Sequence, residues 1–314
     1  MKNNNEYGLE SFCYKVRDAV EEYYHDEKEI KVQTVKKNNG VILMGITIME
    51  KGMNVAPTIY LNDVFSLYEK EGDRFGDIVM KVINIYEKNK LKKDFDISFF
   101  KNFEEVKNKI SMRLINREMN AELLKEVPYE DYYDLALVCY CNVMREDIGN
   151  GAILVKNEHL KLWNIKKEDL LALARRNTNR YFAPHLQNMV DVVAGMMDPD
   201  DVERIKKELK DDHAMYVLSN IDRMYGATTI IYPGLLQNIG MQLKKDFYVL
   251  PSSVHEVILV PAGEDTDGKE LSEMVNEINK TQVSKEEILA NHAYLYHYRA
   301  DWMEILPLNP QEKN

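Results

Sequence analysis

Asn39-Gly40 stands between two β-rich runs, Ile30-Lys31-Val32-Gln33-Thr34-Val35 and Val41-Ile42-Leu43-Met44-Gly45-Ile46-Thr47-Ile48. Tight hairpin turns need positive φ at their central residues, which Asn and Gly adopt at the least steric cost, so this dipeptide is a strong hairpin signal. The first run alternates apolar with polar residues, as a half-exposed strand does. The second is apolar at successive positions, which predicts a central strand with packing on both sides. A chain built this way is committed to antiparallel sheet early in its length.

Around that hairpin the pattern changes to helical. Leu9, Phe12, Val16, Ala19, Val20 and Tyr23 recur at helical spacing, with Asn4 or Asn5 as the cap. A third strand is expected from Val55 to Leu61, followed by helices over Val64 to Lys70 and Phe75 to Tyr86. The first lobe therefore reads α-βββ-αα and is assigned to residues 1–127. Within its last third, Phe103 and Val106 suggest a short helix, Ile110-Met112-Leu114 a strand, and Asn120 the cap of a brief helix through Leu124.

Pro128 and the polar residues after it mark the boundary to a second lobe, 128–314, although no flexible linker separates the two and one continuous domain is the alternative. There Leu135 to Val143 reads as a buried strand, Asn150-Gly151 as its turn and Ala152 to Val155 as the returning strand. Helices are expected at Ile165 to Ala174, Asp198 to Leu209, Pro233 to Leu243 and Leu271 to Ile278. Strands are expected at Met215 to Leu218, Ala227 to Tyr232, in a hairpin of Phe247 to Leu250 with Glu256 to Val260, and last from Ala293. The fold class is α+β: mixed, largely antiparallel sheets built from β-hairpins, with amphipathic helices packed on them.

Composition narrows the function classes. With 314 residues, 45% hydrophobic and 30% charged, the chain can bury a sizeable core and is not a low-complexity sequence. A net charge of −11 repels a phosphate backbone, so no nucleic-acid partner is expected. The three cysteines, Cys13, Cys139 and Cys141, form no CxxC pair, which argues against a disulfide framework or a zinc ribbon. The N-terminal residues carry no apolar signal stretch, and no apolar run is long enough to span a bilayer; a cytoplasmic, non-membrane protein is expected.

Chemistry concentrates in Leu250-Pro251-Ser252-Ser253-Val254-His255-Glu256, where two hydroxyls, an imidazole and a carboxylate fall within seven residues. Ser252, Ser253, His255 and Glu256 are the candidate functional surface, with Ser253 as nucleophile or His255 as base if the site is catalytic. Neighbouring strand residues point to opposite faces, so His255 and Glu256 cannot belong to one constellation if the strand begins before them. The plainer reading is a hairpin turn whose serines bond local backbone.

No catalytic set is complete, and no metal or cofactor is expected. Leu259 stands where a zincin would need its second histidine after His255-Glu256, and His292 and His297 fall on opposite faces of a strand. Asp198-Pro199-Asp200-Asp201 lacks the calcium-loop glycine and terminal glutamate, and Gly149 and Gly151 are followed by no Lys-Ser pair.

Lys37-Asn38-Asn39-Gly40, Ala56-Pro57-Thr58-Ile59-Tyr60-Leu61, Asn157-Glu158-His159-Leu160-Lys161-Leu162-Trp163 and Pro251-Ser252-Ser253-Val254-His255-Glu256 together resemble a bacterial family, domain of unknown function 5688. The resemblance runs nearly end to end and implies a cytoplasmic bacterial protein, with no catalytic residues to carry over. The expected function is that of a binding or adaptor protein without catalysis, its partner a protein or small molecule. The alternative is a hydrolase-like enzyme using the Pro251–Glu256 turn.

Overall fold

The computed structural model describes residues 4–25, 27–54, 56–71, 74–90, 98–145, 149–194, 215–306 and 308. The expected helix at Asp198 to Leu209 lies outside them. The chain divides into two compact units, Met1–Asn102 with Val143–Gly151, and Phe103–Asn142 with Ala152–Asn314. Pro128 lies inside the second unit, immediately before a strand.

The first unit follows the α-βββ-αα order: α1 (Asn4–Tyr24), β1 (Lys28–Lys36), β2 (Ile42–Glu50), β3 (Thr58–Tyr60), α2 (Asn62–Glu71) and α3 (Phe75–Asn89). β2 is central, antiparallel to both neighbours, with Ile30 opposite Ile48 and Ile46 opposite Ile59. Asn39 (φ 58°) and Gly40 (φ 67°) are both left-handed, and the Val41 N–H closes the turn on the Asn38 carbonyl at 3.3 Å. The core is the meeting of periodicities: Phe12, Cys13, Val16 and Val20 of α1 and Ile78, Val82 and Tyr86 of α3 pack on Ile46 and Ile48 of β2. The third strand is shorter than expected, because Pro57 lacks a ladder donor and pairing starts only at Thr58.

In the second unit, apart from residues 143–145 of β6 and 149–151 of β7, one sheet has the order β4-β6-β5, from β4 (Ile110–Asn116), β5 (Tyr129–Tyr132) and β6 (Leu135–Arg145), with β7 (Gly149–Leu154) also pairing β6. Leu135, Ala136, Leu137, Val138, Cys139 and Cys141 are fully buried, as an uninterrupted apolar strand between two neighbours should be. Asn150 and Gly151, expected as the turn before β7, are inside that strand instead.

The short helices α4 (Phe103–Val106) and α5 (Ala121–Leu124) stand where the pattern placed them. Asn120 precedes α5, yet its side-chain amide donates to the Asn116 carbonyl at 2.8 Å rather than capping the helix. The helices α6 (Asn157–Trp163) and α7 (Lys167–Tyr181) follow β7, α7 running two turns beyond the expected end at Ala174. Those added turns hold Asn177 and Thr178, which bind the edge of β4: the Asn177 amide donates to the Ile110 carbonyl at 2.8 Å, and Thr178 Oγ1 accepts the Met112 N–H at 2.8 Å.

The second sheet of this unit is six-stranded and antiparallel throughout, with the order β13-β12-β10-β11-β9-β8. Its strands are β8 (Pro184–Asn188), β9 (Tyr216–Asn220), β10 (Phe247–Leu250), β11 (Val257–Pro261), β12 (Ala293–His297) and β13 (Trp302–Leu306); α8 (Met189–Val193) follows β8. The expected hairpin is the β10–β11 pair at the centre, with Leu250 opposite Ile258. β13 pairs along the whole of β12 and carries no clear alternation of its own: Trp302, Glu304 and Ile305 are exposed.

One expected strand is a helix. Residues Gly226–Ile231 form a buried 3-10 helix, not part of a strand from Ala227 to Tyr232. β-branched residues favour strands, but here hydroxyl hydrogen bonds override propensity: Thr229 Oγ1 donates locally to the Gly226 carbonyl at 2.7 Å, and Thr228 Oγ1 accepts the distant Leu114 N–H at 3.0 Å. The expected helices after it are present as Leu235–Leu243 and Gly268–Thr281.

Candidate functional site

The Pro251–Glu256 segment connects the two central strands β10 and β11 and runs against residues 287–290. The Val254 N–H donates to the Glu287 carbonyl at 2.8 Å, the Ala290 N–H to the Pro251 carbonyl at 2.9 Å and the Leu289 N–H to the Ser252 carbonyl at 3.3 Å. Ser253 pairs with Ile288 as an isolated antiparallel bridge. Backbone bonding on this scale fixes the segment to the sheet core.

Its side chains are then placed individually. Ser253 Oγ accepts the His255 N–H at 3.1 Å, the local turn chemistry expected of serine. His255 Nδ1 accepts the Tyr225 N–H at 3.2 Å, and its Nε2 stands 3.6 Å from Glu287 Oε1. Nδ1 as acceptor assigns the proton of the neutral ring to Nε2, facing the carboxylate. Glu256 is exposed and has no hydrogen bond or ion pair among the described residues. The structure thus brings Ser253 and His255 together through backbone, leaves Glu256 apart, and supplies Glu287 as the carboxylate near the imidazole. Glu287 was invisible to a local reading, since it reaches His255 only through the tertiary pairing of 254 with 287.

The surroundings add a group that motif reasoning missed. The Tyr225 ring lies 5.1 Å from the His255 ring at 36°, and the Arg113 guanidinium sits 3.8 Å from the Tyr225 ring centroid and 4.1 Å from that of Tyr140. An arginine inside the largely apolar Ile110 to Ile115 run was the available sequence signal. Burial holds the Arg113 pKa below its ordinary value and raises that of the Tyr140 hydroxyl. The loop before the 3-10 helix exposes Ile221 (59%) and Met224 (47%) beside Tyr225.

Three other histidines, His159, His292 and His297, have structural partners. His159 Nδ1 accepts the Lys156 N–H at 2.9 Å, closing the first turn of α6. His292 Nε2 lies 2.9 Å from Asp134 Oδ2, and His297 Nδ1 lies 2.9 Å from Asp246 Oδ2. Among the described residues no group of three or more His, Cys, Asp or Glu could hold a metal ion. An open groove of about 560 Å³ lies along β5 and α7, lined by Tyr129, Glu130, Lys167 and Arg175. None of Ser252, Ser253, His255 or Glu256 borders it, and its Arg175 is already bonded to Glu130 at 2.7 Å.

Antiparallel hairpin sheets, amphipathic helices and a backbone-locked loop define the chain as an α+β protein. The profile of the family of unknown function DUF5688 matches residues 9–298, and the chain belongs to that family. No curated protein and no solved structure matches it. No helix among the described residues is long and apolar enough to cross a membrane.

Proposed function

We propose that this chain is a binding protein that acts without turnover, and that its binding surface includes the Pro251–Glu256 loop and the adjoining Ile221–Tyr225 turn. One observation carries the reading: the single lone pair of the neutral His255 ring is occupied by the Tyr225 N–H. A general base needs that lone pair free to accept a proton from the nucleophile. With Ser253 Oγ turned to the His255 N–H, the loop is rigid and offers ring surface and exposed Ile221 and Met224 rather than an activated hydroxyl. The intracellular setting expected from the sequence, with a protein or small-molecule partner, belongs to the same proposal.

The test is affinity capture from the native host with wild-type protein and an Ile221→Asp/Met224→Asp variant. The expected result is a specific partner or ligand retained by wild type and lost by the folded variant. Capture of nothing specific, or equal capture by both, overturns the proposal.

The hydrolase-like reading keeps one observation in its favour, Glu287 at 3.6 Å from His255 Nε2, which is an acid partner for the imidazole. Ester turnover or fluorophosphonate labelling that disappears in Ser253→Ala and His255→Ala would favour it over the binding reading.

A further inference from the structure

We infer that the second unit contains an oxyanion site built around Arg113, which takes a carboxylate or phosphate group on the open edge of its guanidinium between the rings of Tyr140 and Tyr225. The local structure begins with the register. Ser111, Arg113 and Ile115 share one face of β4, and Ser111 opposite Tyr140 with Arg113 opposite Val138 makes Tyr140 the diagonal neighbour of Arg113. Its ring centroid lies 4.1 Å from the guanidinium carbon. The ring of Tyr225, held in a left-handed conformation (φ 54°) at the start of the 3-10 helix, lies 3.8 Å from the same atom.

Two rings satisfy the faces of a guanidinium but none of its five N–H donors. Among the described residues the one acceptor on Arg113 is Asn142 Oδ1, at 3.3 Å from Nη2. Asn142 is oriented for this by donating its amide to Ser111 Oγ at 2.7 Å and to the Lys109 carbonyl at 3.1 Å. Among the described residues no carboxylate is paired with Arg113, whereas Lys28, which lies over the rings of Tyr24 and Tyr86 in the first unit, has Glu50 at 3.0 Å. A desolvated cation without a counter-charge is costly, and in a chain of net charge −11 carboxylates are abundant; its isolation is what a ligand anion would answer. Arg113 is partly buried rather than sealed, and its fork matches a carboxylate or phosphate in two parallel hydrogen bonds.

His255 takes the role of a positioning residue. Its Nδ1 holds the Tyr225 N–H, and its ring packs against that of Tyr225 at 5.1 Å, tilted by 36°. The inference goes beyond the binding proposal, because an oxyanion held at Arg113 serves a partner, a metabolite or a substrate alike.

The test is thermal shift and calorimetry on the full chain with inorganic phosphate, phenyl phosphate, acetate and benzoate, each against chloride at equal ionic strength. The expected result is a saturable rise in Tm with a phosphate or a carboxylate probe, and which series responds identifies the ligand class. Arg113→Met should abolish the response, and Arg113→Lys, which keeps the charge but not the fork, should weaken affinity about tenfold or more. His255→Ala should weaken it less while leaving the preferred anion unchanged. Should Arg113→Met fail to fold, protection of Arg113 from phenylglyoxal by the responding probe, read by peptide mass spectrometry in the wild type, decides the matter. No probe acting beyond chloride, a response that survives in Arg113→Met, or unprotected Arg113 overturns the inference. Partner capture is read separately, so a failed oxyanion response leaves the binding proposal standing and a failed capture leaves the anion site standing.

Discussion

Thr178 on α7 holds the free edge of β4 at Met112: its Oγ1 accepts the Met112 N–H at 2.8 Å and donates to the Ala174 carbonyl at 2.7 Å. Thr228 does the same two residues along, accepting the Leu114 N–H. In a strand, outward N–H groups recur every second residue, and an unpaired edge is an aggregation hazard. Two threonine hydroxyls therefore replace a missing neighbouring strand. Thr178→Val keeps the shape but leaves a buried N–H without an acceptor, and should cost about 1–3 kcal/mol in urea unfolding. A change within error of zero would show that the edge is satisfied in another way.

Gly226 is needed for space. A Cβ there would overlap Ser219 Oγ and fall 2.5 Å from the Asn220 nitrogen and 2.7 Å from the His255 carbonyl oxygen. Two of these contacts are backbone, which cannot swing away. Gly226→Ala should destabilise the second unit by about 1–3 kcal/mol and disturb the Tyr225–His255 contact. Thermal unfolding monitored by tyrosine fluorescence would read both effects.

His292 should make stability depend on pH. Its Nε2 faces Asp134, which also accepts the Tyr294 hydroxyl at 2.5 Å, while Nδ1 is buried with no hydrogen-bond partner among the described residues. Protonating Nδ1 would bury a second N–H without an acceptor, and burial accordingly lowers the His292 pKa from 6.5 despite the opposing pull of Asp134. A lowered pKa in the folded state means that the unfolded chain binds the proton more readily. The contribution of His292 is therefore fully present above about pH 6.5 and is lost as pH falls through the lower folded value. The fall in Tm between pH 7.5 and pH 5.5 should be smaller in His292→Asn than in wild type. An equal fall in both would place the acid sensitivity elsewhere.

The three thiols should be inert in the native protein. Cys13, Cys139 and Cys141 are fully buried, and burial raises their pKa values to about 11, about 12 and about 11. Alkylation needs an exposed thiolate, so iodoacetamide at pH 8 should label none of them natively and all of them in guanidinium chloride. Native labelling of Cys139 or Cys141, counted by mass spectrometry, would contradict their place inside β6.

The amino-acid order alone determined the elements whose signal is local. Asn39-Gly40 dictates its hairpin because only those residue types adopt two successive left-handed conformations cheaply. The apolar spacing of α1 and α3, the continuous apolar β6 and the β10–β11 hairpin likewise carry their own periodicity, and the α+β class follows from them. The Pro251–Glu256 loop was legible as a turn for the same reason.

Tertiary structure decided the rest. Residues Gly226–Ile231 have strand-forming composition, yet the Thr228 hydroxyl bonded to Leu114, 114 residues away, ties them as a 3-10 helix. β13 exists because β12 presents it an edge, not because of alternation in Trp302–Leu306. Fold and site depend on separations no local window spans: Thr178 secures the β4 edge at Met112 across 66 residues, Tyr225 closes over Arg113, and Glu287 meets His255 through a backbone pairing. Such contacts depend on how sheets and loops pack against one another, and that packing is a property of the whole chain folded at once.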